Sequence, residues 1–272
     1  MRLAIELRRL RDAAGLAARE GAALLGVSAA QISQIEAGLA GVSEKRLRRM
    51  AANYAATDEE FIDALVAMAT DRTRGWWEEY RGSLPTSFLD LAELEHHATF
   101  LREVQFQYIP GLLQTEGYAR AIFSDRIPEL PDDDLELRVR HRVRRKAILE
   151  GPDPKPYEAI IHEAALRVRV SDRAASRAQL AALLEASEAD NVTVRVVPFD
   201  LDGFGGSWTA MMLAGGAVPK LDTAVGDAPH AAAFIDSEAQ LGVFRTLFRR
   251  VEGMSLDPDR SRDFIDGLVK EL

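Results

Sequence analysis

The polar side chains with the most informative spacing lie in the segment LLGVSAAQISQIEAG, residues 24–38. Gln31, Ser33 and Gln34 carry amide and hydroxyl groups in this segment. A glutamine amide can bond the edge of adenine through two hydrogen bonds, and a serine hydroxyl can bond either a base or a phosphate. The segment is therefore a candidate for nucleic-acid recognition.

The same segment has the sequence signals of two short helices joined by a tight turn. Gly26 ends the first helix, Ser28 can cap the second, and Ile32 and Ile35 supply the buried face of the second. Such a turn holds two helices at a steep angle, so that the second can lie in the major groove of DNA. The residues predicted to contact DNA are Ser28, Ala29, Ala30, Gln31, Ser33, Gln34, Arg46 and Arg49.

Residues 1–70 as a whole predict an all-α domain of five short helices. Gly15 is expected to end the first helix, Ser43 to cap the fourth, and Thr57 or Asp58 to cap the fifth. Apolar residues recur at steps of three and four between these signals, as they do on the buried face of a helix.

The charge is divided unevenly along the 272 residues, whose net charge is −9. Residues 1–52 hold nine Lys or Arg and five Asp or Glu, a net charge of +4, whereas the remainder carries −13. An acidic body would repel DNA, so only the basic N-terminal part is expected to face it.

Cysteine is absent from the sequence, which excludes disulfides and thiolate metal sites. The N-terminal residues are charged throughout, so we expect no signal peptide. No apolar run approaches the roughly 20 residues that a membrane span requires. These features predict a cytoplasmic protein without a membrane partner.

An aromatic segment is predicted to connect two domains over residues 71–86. Trp76, Trp77 and Tyr80 lie close together there. They would form a hinge or a packing seam between domains, or alternatively a stacking platform for bases. The two glutamates between them favour packing, because a base platform needs basic neighbours.

Residues 87–272 predict a second domain of the α+β class with a mostly antiparallel sheet. Residues 87–103 look helical, and residues 132–151 predict a helix with acids first and bases last, an order that suits the helix dipole. Further helices are expected at about 173–188 and 238–252. Strands are predicted in PYEAIIHE, NVTVRVVPF, SWTAMMLAG and HAAAFID.

Residues 6–60 resemble the XRE-type, lambda-repressor-like helix-turn-helix. The strings GWWEEY, IPGLLQTEGYARA, RVRRKAIL and LDPDRSRDFI follow in the order typical of the actinobacterial antitoxin-like transcriptional regulators. This resemblance implies a cytoplasmic DNA-binding regulator that forms a homodimer. It also implies that the C-terminal domain receives a small partner protein or a small-molecule ligand.

Five small residues depart from the pattern of that family. Ala17 and Ala18 replace a Thr-Gln pair, and Gly21 replaces a large apolar residue. Gly21 should loosen the second helix by ~0.5–1 kcal/mol through helix propensity alone, and by a further amount through lost packing. Ala29 and Ala30 offer only methyl groups to a base. The sequence thus leaves two alternatives, a weakened DNA reader and a helix-turn-helix that no longer binds DNA.

A ligand or partner pocket is predicted between the sheet and the IPGLLQTEGYARA segment. Its candidate residues are Glu95, Gln114, Tyr118, Arg120, His162, Glu163 and Arg167, with His230 as a further candidate. A glycine-rich stretch, DGFGGSW, is interpreted as a turn that leads into a strand.

Enzyme chemistry has few candidates in this sequence. Glu93 and His97 could share one helix face, but two ligands do not make a metal site, and HEAAL lacks the second histidine of a zinc-protease helix. No nucleophile elbow or phosphate loop is present. We therefore predict no catalytic residues, metal or cofactor. The alternative function is a regulator-derived protein repurposed as a small-molecule-binding or biosynthetic enzyme.

Overall fold

The computed structural model describes residues 2–202, 209–226 and 233–272. It divides into two compact units, Met1–Arg74 and Gly75–Leu272. The N-terminal unit is all-α, and the C-terminal unit combines helices with one sheet. The α+β class predicted from the sequence is confirmed.

Five helices form the N-terminal unit, as predicted. They are α1 (Arg2–Ala13), α2 (Ala18–Leu25), α3 (Ala29–Glu36), α4 (Glu44–Asn53) and α5 (Glu59–Thr70). Gly15 and Gly26 have the positive φ angles, +71° and +67°, that glycine adopts most readily. Ser28, Ser43 and Asp58 each accept a backbone N–H at the start of a helix. Local signals therefore fix where these helices begin and end.

Seven helices and six strands are described in the C-terminal unit. The helices are α6 (Thr86–His97), α7 (Glu116–Ser124), α8 (Asp132–Arg144), α9 (Glu163–Arg167), α10 (Arg173–Ala186), α11 (Glu238–Met254) and α12 (Pro258–Glu271). The strands are β1 (Leu101–Gln105), β2 (Tyr157–His162), β3 (Val192–Val197), β4 (Met211–Ala214), β5 (Thr223–Gly226) and β6 (Ala233–Ile235).

The sheet has the strand order β3-β2-β1-β4-β5-β6. β1, β2 and β3 are parallel neighbours, whereas the pairings β1–β4, β4–β5 and β5–β6 are antiparallel. Antiparallel pairs are thus the majority in the described sheet, but the sheet is mixed. The long connections between the parallel strands contain helices, as parallel pairing requires.

The expectation of a helix over residues 87–103 is wrong at its C-terminal end. The helix α6 ends at His97, and LREVQ forms β1 in the middle of the sheet. LREVQ contains only two apolar residues, so its composition does not indicate a strand in the middle of a sheet. The acidic Glu103 is nevertheless buried, and a buried acid breaks the apolar pattern by which such a strand is recognised.

Helices cover both faces of the sheet. On one face Ala159, Ile161 and Val194 belong to the same buried cluster as Leu180 of α10 and Ile265 of α12. On the other face, Val104, Ile160 and Val197 pack with Phe248 and Val251 of α11, in a second cluster. Burial on both faces explains why β2 is nearly continuously apolar rather than alternating.

The outer edge of β3 is covered by the segment that joins α11 to α12 and by the first turn of α12. The Val196 N–H donates to the Ser261 hydroxyl oxygen at 3.0 Å, and the Leu256 N–H donates to the Val196 carbonyl at 2.8 Å. These bonds satisfy backbone groups that an edge strand otherwise leaves open.

The aromatic segment belongs to the C-terminal unit rather than to a hinge. Trp76–Tyr80 forms a 3-10 helix, and Trp77 and Tyr80 are buried with Leu89 and Ala92 of α6. The described ring contacts of Trp76, Trp77 and Tyr80 are made within this unit. The connecting segment predicted at 71–86 is therefore divided between the two units after Arg74, and its aromatic part packs in the C-terminal unit.

Candidate functional site

The exposed face of α3 carries the side chains predicted to contact DNA. Ile32 and Ile35 are buried, and they anchor the helix against the rest of the N-terminal unit. The remaining predicted residues of this helix, Ala29, Ala30, Gln31, Ser33 and Gln34, are exposed. The structure thus places these five side chains on the solvent-facing side of α3, where a duplex could reach them.

Ser28 and Gln31 form a reciprocal cap at the start of α3. The Gln31 N–H donates to the Ser28 hydroxyl oxygen, and the Ser28 N–H donates to the Gln31 side-chain oxygen, both at 3.2 Å. This arrangement uses the acceptor oxygen of Gln31 within the protein. Within the described ranges, Ser33 and Gln34 are the exposed polar residues of α3 whose side chains have no intramolecular partner.

The two arginines predicted to anchor phosphates differ in their contacts. Arg49 donates to the Leu24 carbonyl at the end of α2, at 3.0 Å. The Arg46 guanidinium is exposed and has no described partner in the part of the chain that the structure covers. Arg48, between them in sequence, bonds Glu44. Arg46, like its exposed neighbour Lys45, is therefore a cation on α4 that is available to a phosphate.

A buried ion pair holds α1 against α3. The Arg11 guanidinium donates to both carboxylate oxygens of Glu36, at 2.7 and 2.8 Å, and to the Leu16 carbonyl at 2.6 Å. Both side chains are 7% exposed. The hydrogen bonds that Arg11 donates to Glu36 raise the pKa of Arg11 above its usual range. The pair therefore holds the C-terminal end of α3, at Glu36, against α1, and the opposite face of α3 stays exposed.

Gly21 leaves room for this ion pair, and the expectation that it loosens α2 through lost packing is wrong. A Cβ at Gly21 would lie 2.9 Å from the Tyr54 hydroxyl oxygen and 3.0 Å from Arg11 Cδ. The space that a large apolar side chain would take is filled by Tyr54 and Arg11. Gly21 is buried, so the helix is packed at this position.

The start of α2 is capped from one side only. Ala17 occupies the capping position and has no side-chain acceptor, but its N–H donates to the Glu20 carboxylate at 2.7 Å. Glu20 also lies in the first turn, where a negative charge suits the helix dipole. Glu20 thus supplies part of the capping that a threonine would give at position 17.

The seven residues predicted to line a pocket lie in separate places of the C-terminal unit. Glu95 is buried and accepts two hydrogen bonds from Arg145. Arg120 is bonded to Glu116 of its own helix and to Glu136 of α8. Of the seven, Arg167 lines the groove described below, and one shared pocket for the whole set stays a prediction.

Gln114 and Tyr118 hold the chain that precedes α7. The Gln114 side-chain amide donates to the Ile109 carbonyl at 2.7 Å, and the Ile109 N–H donates to the Tyr118 hydroxyl oxygen at 3.2 Å. Arg142 donates to the Gln114 side-chain oxygen at 2.8 Å. Burial, followed by the charge of Arg145, lowers the pKa of Arg142 to about 9. These contacts stabilise the IPGLLQT segment from inside.

His162, Glu163 and Arg167 do lie together, at the carboxyl end of β2. Glu163 accepts hydrogen bonds from Arg167 at 2.5 Å and from the Phe199 backbone N–H at 2.8 Å. His162 accepts the Ala164 N–H, and burial lowers its pKa. His230 and residues 203–208 of the glycine-rich stretch lie outside the described residues. The first residues of the predicted strands SWTAMMLAG and HAAAFID also lie outside them.

A buried polar cluster was not foreseen from the sequence. Glu103 of β1 accepts hydrogen bonds from the Tyr157 hydroxyl at 2.7 Å and from the Gln105 amide at 2.8 Å. Burial raises the pKa of Glu103 above its usual value. Gly111 lies beside Arg142 and Arg145 of the same region. The sequence offers one sign of this cluster, the acidic Glu103 within the segment predicted to be helical. The residues that bind Glu103 cannot be inferred from the sequence, because Tyr157 lies far along the chain.

His141 of α8 was also missed, and it lies in an aromatic enclosure. Its ring is 1% exposed, with centroid distances of 5.1 Å to Trp76, 5.0 Å to Tyr80 and 5.6 Å to Phe88. Neither ring nitrogen has a hydrogen-bond partner among the described residues. Burial, followed by the charge of Arg145, lowers its pKa to about 3, so the ring is neutral at physiological pH.

The described residues contain no group of three or more His, Cys, Asp and Glu arranged to hold a metal ion. None of the helices described for this chain has the length and apolar character needed to cross a membrane.

Two family models match the chain. A model described as a helix-turn-helix domain matches residues 2–63, and a model described as a domain of unknown function, DUF5753, matches residues 88–267. No curated protein and no solved structure matches. The helix-turn-helix predicted from the sequence is thereby confirmed.

Proposed function

The chain belongs to the DUF5753 family and carries a helix-turn-helix domain in front of the DUF5753 domain, and from this we propose that it is a DNA-binding transcriptional regulator. The observation that carries the proposal is the exposed face of α3. Its buried side is anchored by Ile32, Ile35 and the Arg11–Glu36 ion pair, while the side chains of Ser33 and Gln34 bond no other group among the described residues. A rigid helix with polar groups open to solvent is what major-groove reading requires.

Affinity in this proposal comes mainly from phosphate contacts. Residues 1–52 carry a net charge of +4, and Lys45 and Arg46 of α4 are exposed cations. Phosphate contacts contribute salt-dependent affinity but little sequence specificity, whereas contacts to the base edges contribute the specificity. With alanines at positions 29 and 30, we infer that this regulator binds with modest specificity.

The C-terminal unit receives a small partner protein or a small-molecule ligand in this proposal, as an antitoxin-like regulator would. Its acidic charge supports a role away from the DNA backbone. A homodimer would place two α3 helices on half-sites ~34 Å apart, one turn of the double helix. Such a protein acts in the cytoplasm, where its DNA is.

Selection from a random duplex pool tests DNA binding with the full-length chain. The enriched sequence is then titrated at two salt concentrations, with Arg46→Ala as the test variant and Arg260→Ala of α12 as the matched control. We expect Arg46→Ala to reduce the slope of log affinity against log salt by about 1 and the control to leave it unchanged. No enrichment and no binding at low salt would overturn the proposal and favour the repurposed-protein alternative.

A further inference from the structure

A groove on the C-terminal unit lies between α9, α10 and α12. Its volume is about 320 Å³, and it is lined by Leu166, Arg167, Arg169, Arg173, Ser176, Leu180, Leu268, Glu271 and Leu272. The volume is at the lower end of the range found for small-molecule sites. Of the residues predicted to bind a ligand, only Arg167 belongs to this lining.

The floor of the groove is apolar and firmly packed. Leu166 of α9, Leu180 of α10 and Leu268 of α12 are each at most 5% exposed, and all three belong to the main buried cluster of the unit. A floor supplied by three different helices of one core holds its shape without a ligand. Each of the three leucines exposes only a few per cent of its surface, so together they form a small apolar patch at the bottom of the groove.

The rim of the groove carries positive charge that the protein leaves open. Arg169 and Arg173 are exposed, and neither guanidinium has a hydrogen bond or ion pair among the described residues. Arg167, by contrast, already bonds Glu163 and Glu271, at 2.5 and 2.9 Å. The guanidinium groups of Arg169 and Arg173 are therefore available to a ligand at the edge of the apolar floor.

This positive rim is an exception in an acidic part of the chain. Residues 53–272 carry a net charge of −13, yet the groove lining holds three arginines and one glutamate. Guanidinium groups bind carboxylates and similar anions through paired hydrogen bonds.

We infer that this groove binds a small amphipathic organic anion, a carboxylate or sulfonate attached to a hydrocarbon body. The anionic group is held by Arg169 and Arg173, and the hydrocarbon body lies on the leucines of the floor. The inference rests on the proposed function for its regulatory meaning, since it identifies the ligand class of the C-terminal unit. Binding itself is measured without DNA.

Calorimetric titration of the full chain with sodium octanoate tests the inference. Octanamide, which has the same hydrocarbon length and no charge, is the matched neutral probe. We expect octanoate to bind about tenfold or more tightly than octanamide, because a charge-assisted contact is worth more than 1.4 kcal/mol, the equivalent of that ratio. Equal affinity for the two probes, or no saturable binding of octanoate to the folded chain, would overturn the inference.

The double variant Arg169→Ala/Arg173→Ala should lose the preference for octanoate over octanamide. Arg177→Ala is the control, because Arg177 lies one turn further along α10, is exposed and is absent from the groove lining. An equal loss in the control would contradict the assigned site, as would an unchanged preference in a folded double variant. DNA binding by the same proteins tests the proposed function separately, so either claim can fail alone.

Discussion

Arg11 and Glu36 join the first helix of the N-terminal unit to the last residue of α3 through two hydrogen bonds of 2.7 and 2.8 Å. Both side chains are almost inaccessible to water. An unpaired charge left at such a position is costly, because burial removes its solvation and nothing replaces it. The pair therefore stabilises one orientation of α3 relative to α1.

Glu36→Gln should destabilise the N-terminal unit by about 3 kcal/mol, the lower end of the cost of breaking a buried ion pair. Hydrogen exchange of the amides in α1 and α3 measures this loss for the unit alone. The double variant Arg11→Met/Glu36→Leu should recover most of the loss, because it removes both charges. Unchanged protection in Glu36→Gln would show that the pair contributes nothing to stability.

Gly21→Ala should destabilise the N-terminal unit despite the better helix propensity of alanine. The new Cβ would come within 3.0 Å of the Tyr54 hydroxyl oxygen, so Tyr54 or Arg11 must move. Gly267→Ala in α12 is the control, since a Cβ there meets nothing within 4 Å. The control should gain about 0.5–1 kcal/mol from propensity. Denaturation of both variants measures the contrast, and stabilisation in both would contradict the packing of Gly21.

Thymine methyl groups should matter to DNA binding, because Ala29 and Ala30 offer methyl groups at the start of α3. Replacing a contacted thymine by deoxyuridine removes one methyl, and we expect about fourfold weaker binding, the equivalent of ~0.8 kcal/mol. Anisotropy titration of the selected duplex measures it. Ala30→Gly should abolish the difference, and deoxyuridine outside the half-sites is the control. Equal affinity for every deoxyuridine duplex would refute this prediction.

His141 should make the C-terminal unit less stable as the pH falls. Its folded pKa of about 3 lies below the ordinary value of 6.5, so the unfolded chain binds a proton between these two values that the folded chain does not. Stability is complete above about pH 7 and decreases towards pH 3. Relative to His141→Phe, the protein should lose roughly 2 kcal/mol between pH 6.5 and 5.

Thermal unfolding followed by near-ultraviolet circular dichroism measures this dependence, since Trp76 and Tyr80 surround the ring. His97→Gln is the control, because His97 is exposed. Phenylalanine keeps the aromatic packing of position 141 and removes its titration. Parallel pH profiles for the protein and His141→Phe would show that His141 takes up its proton in the folded state.

Local signals made the N-terminal unit predictable from the sequence. Gly26, Ser28 and Ser43 act within a few residues of their own position, so their roles could be assigned without knowing the fold. The cluster of Glu103 could not be found in this way. Its partner Tyr157 is separated from it by more than 50 residues of chain, and the two meet only because β1 and β2 are parallel neighbours.

The candidate ligand residues show the same limit. The IPGLLQT motif predicts Gln114 as a ligand residue, but its side chain is buried and donates to the backbone at Ile109. The sequence does not single out Arg169 and Arg173, because an arginine near a helix start is ordinary. Only the packing of α12 against α9 and α10 shows that they overlook an apolar floor.

The bonds that Ser261 and Leu256 make to Val196 have a consequence for assembly. A strand from another molecule could not add beside β3 without first displacing the link between two terminal helices. Crowded preparations of the folded chain should therefore resist fibril growth from this side. Heating that detaches the final helix would remove this safeguard before the rest of the sheet is lost.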